Sequence, residues 1–254
     1  MNAPTVFITG GAKRIGRAIC EHFAGEGWHV VVHYHTSRTE AEALAAALPS
    51  ASTCRFDLAD PVGLPVAVAA IARQHPNWRA LVCSASLFEP DQPEAPDMDL
   101  WQAILAANLA GNVQLAALYL QHAASSQGRC IINLLDQKLA NLNPDFFAYT
   151  VAKSGLKTVG DMLALARSGS ADRIYGLAPG LTLPSHDQTE AEFARSGAVN
   201  LLHRFTQPEE IASAAWFLAT GPVATGTTLF VDSGQRLVPQ HRDVMYLVRE
   251  TAAA

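Results

Sequence analysis

Apolar and β-branched residues cluster in seven short runs, at residues 5–9, 29–34, 52–56, 80–83, 130–134, 173–178 and 228–231, and each run predicts a strand. The intervals between them are longer and amphipathic or Ala-rich, which predicts helices over 14–25, 39–46, 62–74, 100–125, 146–168, 190–197 and 208–220. Strands that are apolar throughout, and separated by helix-length segments, need crossover connections. They therefore lie parallel in one sheet with helices on both faces. No internal repeat, linker or composition shift divides the chain. The expected architecture is a single doubly wound α/β domain over residues 1–235, followed by a tail over 236–254.

Composition narrows the class of function. The 254 residues are 49% hydrophobic, and 18 Lys and Arg stand against 23 Asp and Glu, a formal charge of -5. Disorder is excluded by the apolar content. The charge is spread along the chain, without the clustered cations that nucleic acid or anionic lipid requires, so neither is an expected partner. No apolar run approaches the roughly 20 residues of a membrane span; the stretch 66–72 is ended by Arg73, Gln74 and His75. Residues 1–8 lack a basic region and run straight into a glycine loop, so they read as a first strand and not a signal peptide, and the expected location is the cytoplasm. Cys20, Cys54, Cys83 and Cys130 lie far apart and read as buried thiols. His33 and His35 could share a strand face, but no third ligand has useful spacing, so no metal is expected.

The first candidate chemistry is the loop Thr9-Gly10-Gly11-Ala12-Lys13-Arg14-Ile15-Gly16, which follows the first strand and opens the first helix. Backbone N–H groups and the helix dipole can hold a pyrophosphate there; Gly10 permits the turn and Gly16 close packing. A glycine loop alone could be a structural turn. Strand before and helix after make it the mark of a Rossmann-type dinucleotide fold. An NAD site ends its second strand with Asp or Glu for the ribose 2′-OH. Here that place reads His33-Tyr34-His35-Thr36-Ser37-Arg38, with Lys13 and Arg14 opposite. Cations and hydroxyls in place of a carboxylate predict a 2′-phosphate, hence NADPH/NADP, with Arg14 as its main partner and Thr36, Ser37 and His35 assisting. Arg38 reads equally as a solvated surface group. Asp57, with Leu58 after it, fits the adenine amino group, or caps the following helix.

Tyr149 and Lys153, four apart on a predicted helix, project from one face. An ammonium beside a phenol is expected to lower the phenol pKa, so that it works as acid or base near neutrality. With its surroundings this pair resembles the short-chain dehydrogenase/reductases over nearly the whole chain: Thr9 to Gly16, Asp57, Asn108, Tyr149-x-x-x-Lys153, Pro179-Gly180 and Thr225-Gly226 to Val231-Asp232 stand in that family's order. Three departures are similar to the pteridine and dihydromonapterin reductases. Arg14 replaces the loop's middle glycine, Asp136 replaces the catalytic Ser, and Cys83-Ser84-Ala85-Ser86 precedes Leu87-Phe88. An ionised carboxylate beside a developing alkoxide is unfavourable, so Asp136 argues against an ordinary ketone substrate. A reduced pterin offers N–H groups to a carboxylate, and its imine nitrogen takes a proton as hydride adds to the adjacent carbon.

The resemblance implies roles for other residues. Asp136 and Tyr149 relay the proton, Lys153 binds the nicotinamide ribose, and Asn108 holds a water or a backbone bend. Ala85 and the backbone of Pro179, Gly180 and Thr182 lie against the cofactor. Phe88 stacks on the pterin and Ser86 bonds its edge; a buried core Phe is the plain structural alternative. His186, Asp187 and residues 190–200 form a mobile lid, and the helices 100–125 and 146–168 pack between subunits of a homotetramer. Pro239 keeps 237–240 from being helical, and Val244, Met245, Tyr246, Leu247 and Val248 would each cost about 1.5–3 kcal/mol left in water. Docking of the tail on a neighbouring subunit is therefore expected, with docking on its own domain as the alternative. The function this predicts is NADPH-dependent reduction of a dihydropterin or dihydrofolate. A carbonyl or 3-oxoacyl reductase, or a nucleotide-binding sensor without turnover, are the competing readings.

Overall fold

Val6, Phe7 and Ile8 have no exposed surface, as a central parallel strand covered on both faces requires. The computed structural model describes residues 3–185 and 188–253, with side chains as far as residue 250. His186 and Asp187, expected in a lid, lie outside the described residues. The strands are β1 (Thr5–Ile8), β2 (His29–Tyr34), β3 (Ala51–Arg55), β4 (Trp78–Cys83), β5 (Cys130–Leu134), β6 (Arg173–Pro179) and β7 (Thr228–Val231). The helices are α1 (Arg14–Gly25), α2 (Arg38–Ala47), α3 (Gly63–Gln74), α4 (Met98–Leu105), α5 (Gly111–His122), α6 (Phe147–Ala166), α7 (Glu190–Gly197), α8 (Pro208–Thr220) and α9 (Val244–Ala253).

All seven strands pair in parallel in the order β3-β2-β1-β4-β5-β6-β7. Side chains alternate across the sheet, so Val6 and Ile8 face α1 and α8 while Phe7 faces the layer that holds α3 and α5. Strand order reverses between β1 and β4, where Ile8 is opposite both Val32 and Val82. The loops at the carboxyl ends of these strands diverge, and that crevice is where such sheets bind ligands.

Two predicted elements come out differently. The helix expected over 100–125 is α4 and α5 joined by a π-helical turn, Ala106–Ala110, one residue wider than an α-helical turn. Asp97 starts it, its Oδ1 accepting the Asp99 and Leu100 N–H groups at 3.0 and 3.1 Å. Asn112 Nδ2 donates to the Ala107 and Asn108 carbonyls at 3.2 and 3.0 Å, gathering oxygens that the wide turn releases. The whole run, Met98–His122, is 25 residues and apolar enough by composition to cross a membrane, which the sequence reading did not register. Ile104, Leu115 and Tyr119 on it are nonetheless fully buried in the chain's own core.

The tail is also different. Past Pro239 it forms α9, and Val244, Met245 and Val248 are buried against their own domain. The cost of exposing them, which pointed to a neighbouring subunit, is met within the chain. The Arg242 guanidinium clamps the tail down, with Nε and Nη2 both 2.9 Å from oxygens of Asp145. Burial works to raise the Asp145 carboxyl, but Arg242 and the Asp243 N–H outweigh it and hold it below the ordinary range. A second tie joins Arg249 Nε to Glu192 of α7 at 2.8 Å.

Candidate active site

At the carboxyl ends of the strands lies a cleft of about 770 Å³. Every residue expected to bind cofactor or substrate lines it except Ser37 and Asn108. Its floor is the glycine loop. Thr9, with no exposed surface, accepts the Ser84 and Ala85 N–H groups at 2.9 and 3.0 Å, tying β1 to the end of β4. Gly10 has φ +63°, and a Cβ there would lie 2.9 Å from the Ala85 backbone; a Cβ on Gly16 would lie 2.3 Å from the Gly10 carbonyl oxygen. Arg14 also has positive φ, +53°. This left-handed backbone suits glycine, and an arginine there costs about 1 kcal/mol or more.

The two loop cations diverge. Lys13 Nζ pairs with Glu40 of α2 at 2.6 Å, on the side where β2 delivers Thr36 and Ser37. Arg14 Nη2 donates to the Pro184 carbonyl at 3.0 Å, on the side of the segment after β6. Both cations line the cleft, Lys13 on its α2 side and Arg14, the expected main 2′-phosphate partner, bonded here to the Pro184 carbonyl. Asp57 spends one oxygen on its own turn, Oδ1 accepting the Ala59 N–H at 2.9 Å, and its Oδ2 lies 3.8 Å from His35 Nε2. Asp60 takes the N–H of Val62 at 3.0 Å instead, so the helix-capping alternative for Asp57 falls away.

His33 is a site residue that the sequence reading missed. It is fully enclosed, its Nδ1 accepts the Gly10 N–H at 3.2 Å, and its Nε2 lies 3.1 Å from the Phe56 carbonyl. These bonds require the neutral ring protonated at Nε2, and burial lowers its pKa to about 4. Below about pH 6.5 the unfolded chain takes up a proton at this histidine that the folded chain refuses. The neutral ring's contribution is thus complete above pH 6.5 and is lost as pH falls toward 4, roughly 3 kcal/mol in all. We expect wild-type stability to urea to fall over this window, and a His33→Gln variant to show a smaller loss between the same pH values.

The candidate reacting groups lie just past β5 and on α6. Tyr149 and Lys153 occupy the inner face of α6, as their spacing predicts, and both are buried. Asp136, just past β5, caps the 3₁₀ turn Gln137–Ala140, its Oδ1 accepting the Lys138 N–H at 2.8 Å. Its other oxygen, Oδ2, accepts the Tyr149 hydroxyl at 2.9 Å. Lys153 Nζ donates to the Leu134 carbonyl at 2.6 Å and stands 5.5 Å from the Tyr149 ring centroid. The expected lowering of the phenol pKa is not found: burial, and then the Asp136 charge, push Tyr149 well above its ordinary value. It is a neutral hydroxyl, a donor. Burial likewise lifts Asp136, against the pull of the Lys138 N–H and ammonium. Lys153 is lowered to about 8 by burial, partly offset by Asp136.

Asn108, expected to hold a water or a backbone bend, is not among the residues that line the cleft. It sits in the π turn with no exposed surface, and its amide both accepts the Leu87 N–H and donates to the Leu87 carbonyl, each at 2.7 Å. These bonds fit the backbone-bend alternative, and they hold the segment after β4 that carries Ser86 and Phe88. Phe88 stacks on Phe146 at 4.0 Å and meets the edge of Tyr149 at 4.7 Å, a hydrophobic wall that also lines the cleft. Lys138, Asp243 and Val244 line it as well and were not anticipated. For the two tail residues no local motif could have marked them.

This geometry belongs to a known class. Residues 10–236 match the family model described as enoyl-(acyl carrier protein) reductase, and the chain belongs to the short-chain dehydrogenase/reductase family of oxidoreductases. Among solved structures it is similar to the FolM alternative dihydrofolate reductase 1 of Brucella suis in complex with NADP. The TM-score is 0.85 and the identity 33%, covering 94% of this chain and 97% of that one. Pteridine reductase 1 of Leishmania tarentolae is 27% identical over 92% of this chain and 97% of its own length. Glucose 1-dehydrogenase 2 of Bacillus subtilis (strain 168) is 28% identical, with 94% and 97% covered.

Proposed function

We propose that the chain is an NADPH-dependent reductase of a reduced pterin, of dihydrobiopterin, dihydromonapterin or dihydrofolate type. The observation that carries this reading is the half-buried Asp136 carboxyl bonded to the Tyr149 hydroxyl at 2.9 Å. A carboxylate there disfavours an alkoxide but accepts pterin N–H groups, and its bond to Tyr149 links it to the proton donor. The glycine loop, open where a Cβ would close it, and the absence of an acid at the end of β2 fit NADPH. When bound, NADPH supplies the hydride. Tyr149 delivers the proton to the substrate nitrogen and is recharged through Asp136; Lys153 holds the nicotinamide ribose; Phe88 and the wall behind it stack the planar ring. The NADP-bound Brucella relative and the Leishmania pteridine reductase support both parts. Exposed apolar side chains on α6, Met162 and Leu165 at 63% and 77%, support its packing between subunits of a homotetramer.

NADPH oxidation, followed by absorbance with a panel of dihydropterins, dihydrofolate and ketones, tests the reading. Turnover concentrated on the pterins is expected, and turnover of ketones alone overturns it. Cofactor choice is tested separately. A charge-assisted phosphate bond contributes roughly 1.5–3 kcal/mol. Lys13→Ala is therefore expected to raise the NADPH KM about tenfold or more and leave the NADH KM nearly unchanged, whereas Arg14→Ala weakens both cofactors alike.

A further inference from the structure

Behind Asp136 the tail completes a charge cluster that no local motif announces. Lys138, two residues on, has its ammonium buried at 2% exposure, 2.6 Å from Asn143 Oδ1 and 3.2 Å from Asp243 Oδ2. Asp243 is the residue before α9, with its Oδ1 accepting the Met245 N–H at 3.1 Å and its own N–H donating to Asp145 Oδ2 at 2.8 Å. Arg242 grips the same Asp145. The tail is thus clamped so as to deliver one carboxylate to the cleft wall beside the catalytic turn. A buried ammonium is costly without a partner, and Asp243 is the carboxylate supplied to it.

We propose that Lys138 and Asp243 act as a positioning pair, assembled only when the C-terminal segment docks, which holds the turn carrying Asp136 and tunes that carboxyl for proton transfer. The groups that face Asp136 are Tyr149 and Lys153 from α6, Lys138 from its own turn and Asp243 from the tail; Asp145 and Arg242 stand behind the pair, and Cys83 of β4 faces Lys153. The two members act on Asp136 in opposite senses. Asp243 raises the Asp136 carboxyl and Lys138 lowers it. Asp243 also raises Tyr149. Cancelling charges make the pair a balance rather than a fixed bias, and removing either partner exposes Asp136 to the other.

The inference rests on the proposed role of Asp136, and two readouts on the full-length protein separate them. The first is a ¹³C carboxyl NMR titration with labelled Asp, in which the Asp136 signal is assigned by its loss in Asp136→Asn. The second is the pH profile of kcat with NADPH and the best substrate of the panel. Asp243→Asn is expected to move the Asp136 titration down by about half a pH unit or more, Lys138→Gln to move it up, and the double variant to return it toward wild type. The kcat limb follows in the same order. A titration that stays put in Asp243→Asn, or single variants that shift it in one direction, overturns the inference, and Asp243→Asn alone suffices should Lys138→Gln not fold. Opposite shifts in the titration with an unmoved kcat limb uphold the pair and overturn the place of Asp136 in the reaction.

Discussion

Tyr149→Phe is expected to lower kcat by about 10²-fold or more while cofactor affinity changes little, since a positioned general acid contributes roughly 10² to 10⁴ in rate. The ring itself is retained, and with it the edge contact to Phe88 at 4.7 Å, so the wall of the cleft survives. What is lost is the one hydroxyl bonded to Asp136 Oδ2, which burial keeps protonated and able to donate. Steady-state kinetics with a fluorescence measurement of NADPH binding checks this. A fall in kcat that is matched by an equal loss of cofactor affinity would assign Tyr149 to binding instead.

Asp136→Ser is the second large effect and the more discriminating one. Serine is a good cap, so the turn from Gln137 to Ala140 keeps an oxygen for the Lys138 N–H that Asp136 now accepts at 2.8 Å. The substitution removes the charge and the proposed proton relay without dismantling the site. Pterin reduction is expected to fall by about 10²-fold, and reduction of small ketones to rise, because a hydroxyl donates to a developing alkoxide where a carboxylate repels it. Competing kinetics on both substrate types reads the ratio. Unaltered pterin turnover removes Asp136 from the mechanism.

The contrast between these residues and their neighbours shows where sequence reasoning reaches. Tyr149 and Lys153 were placed together because helical spacing is local, and the same holds for the glycine loop, whose strand and helix adjoin it in the chain. Their ionisation was another matter. The ammonium was expected to draw the phenol down, but the depth of burial and the carboxylate opposite decide the direction, and both depend on the packing of β5 against α6. Arg14 was assigned by type and position, yet the direction of its side chain follows a left-handed backbone and a carbonyl 170 residues away.

From the chain's own pattern came the seven strands, their parallel sense with helices between, the dinucleotide loop and the candidate Tyr149–Lys153 pair. Each rests on a short continuous apolar run, on helical spacing or on a turn chemistry written within one stretch of chain. The tertiary structure alone decided that Asn108 bonds Leu87, that the apolar face of α9 is buried in its own domain, and that Asp243 meets Lys138 across 105 residues. Such pairings depend on how whole elements dock, and docking is set by the summed burial of side chains far apart in the chain, which no local pattern encodes.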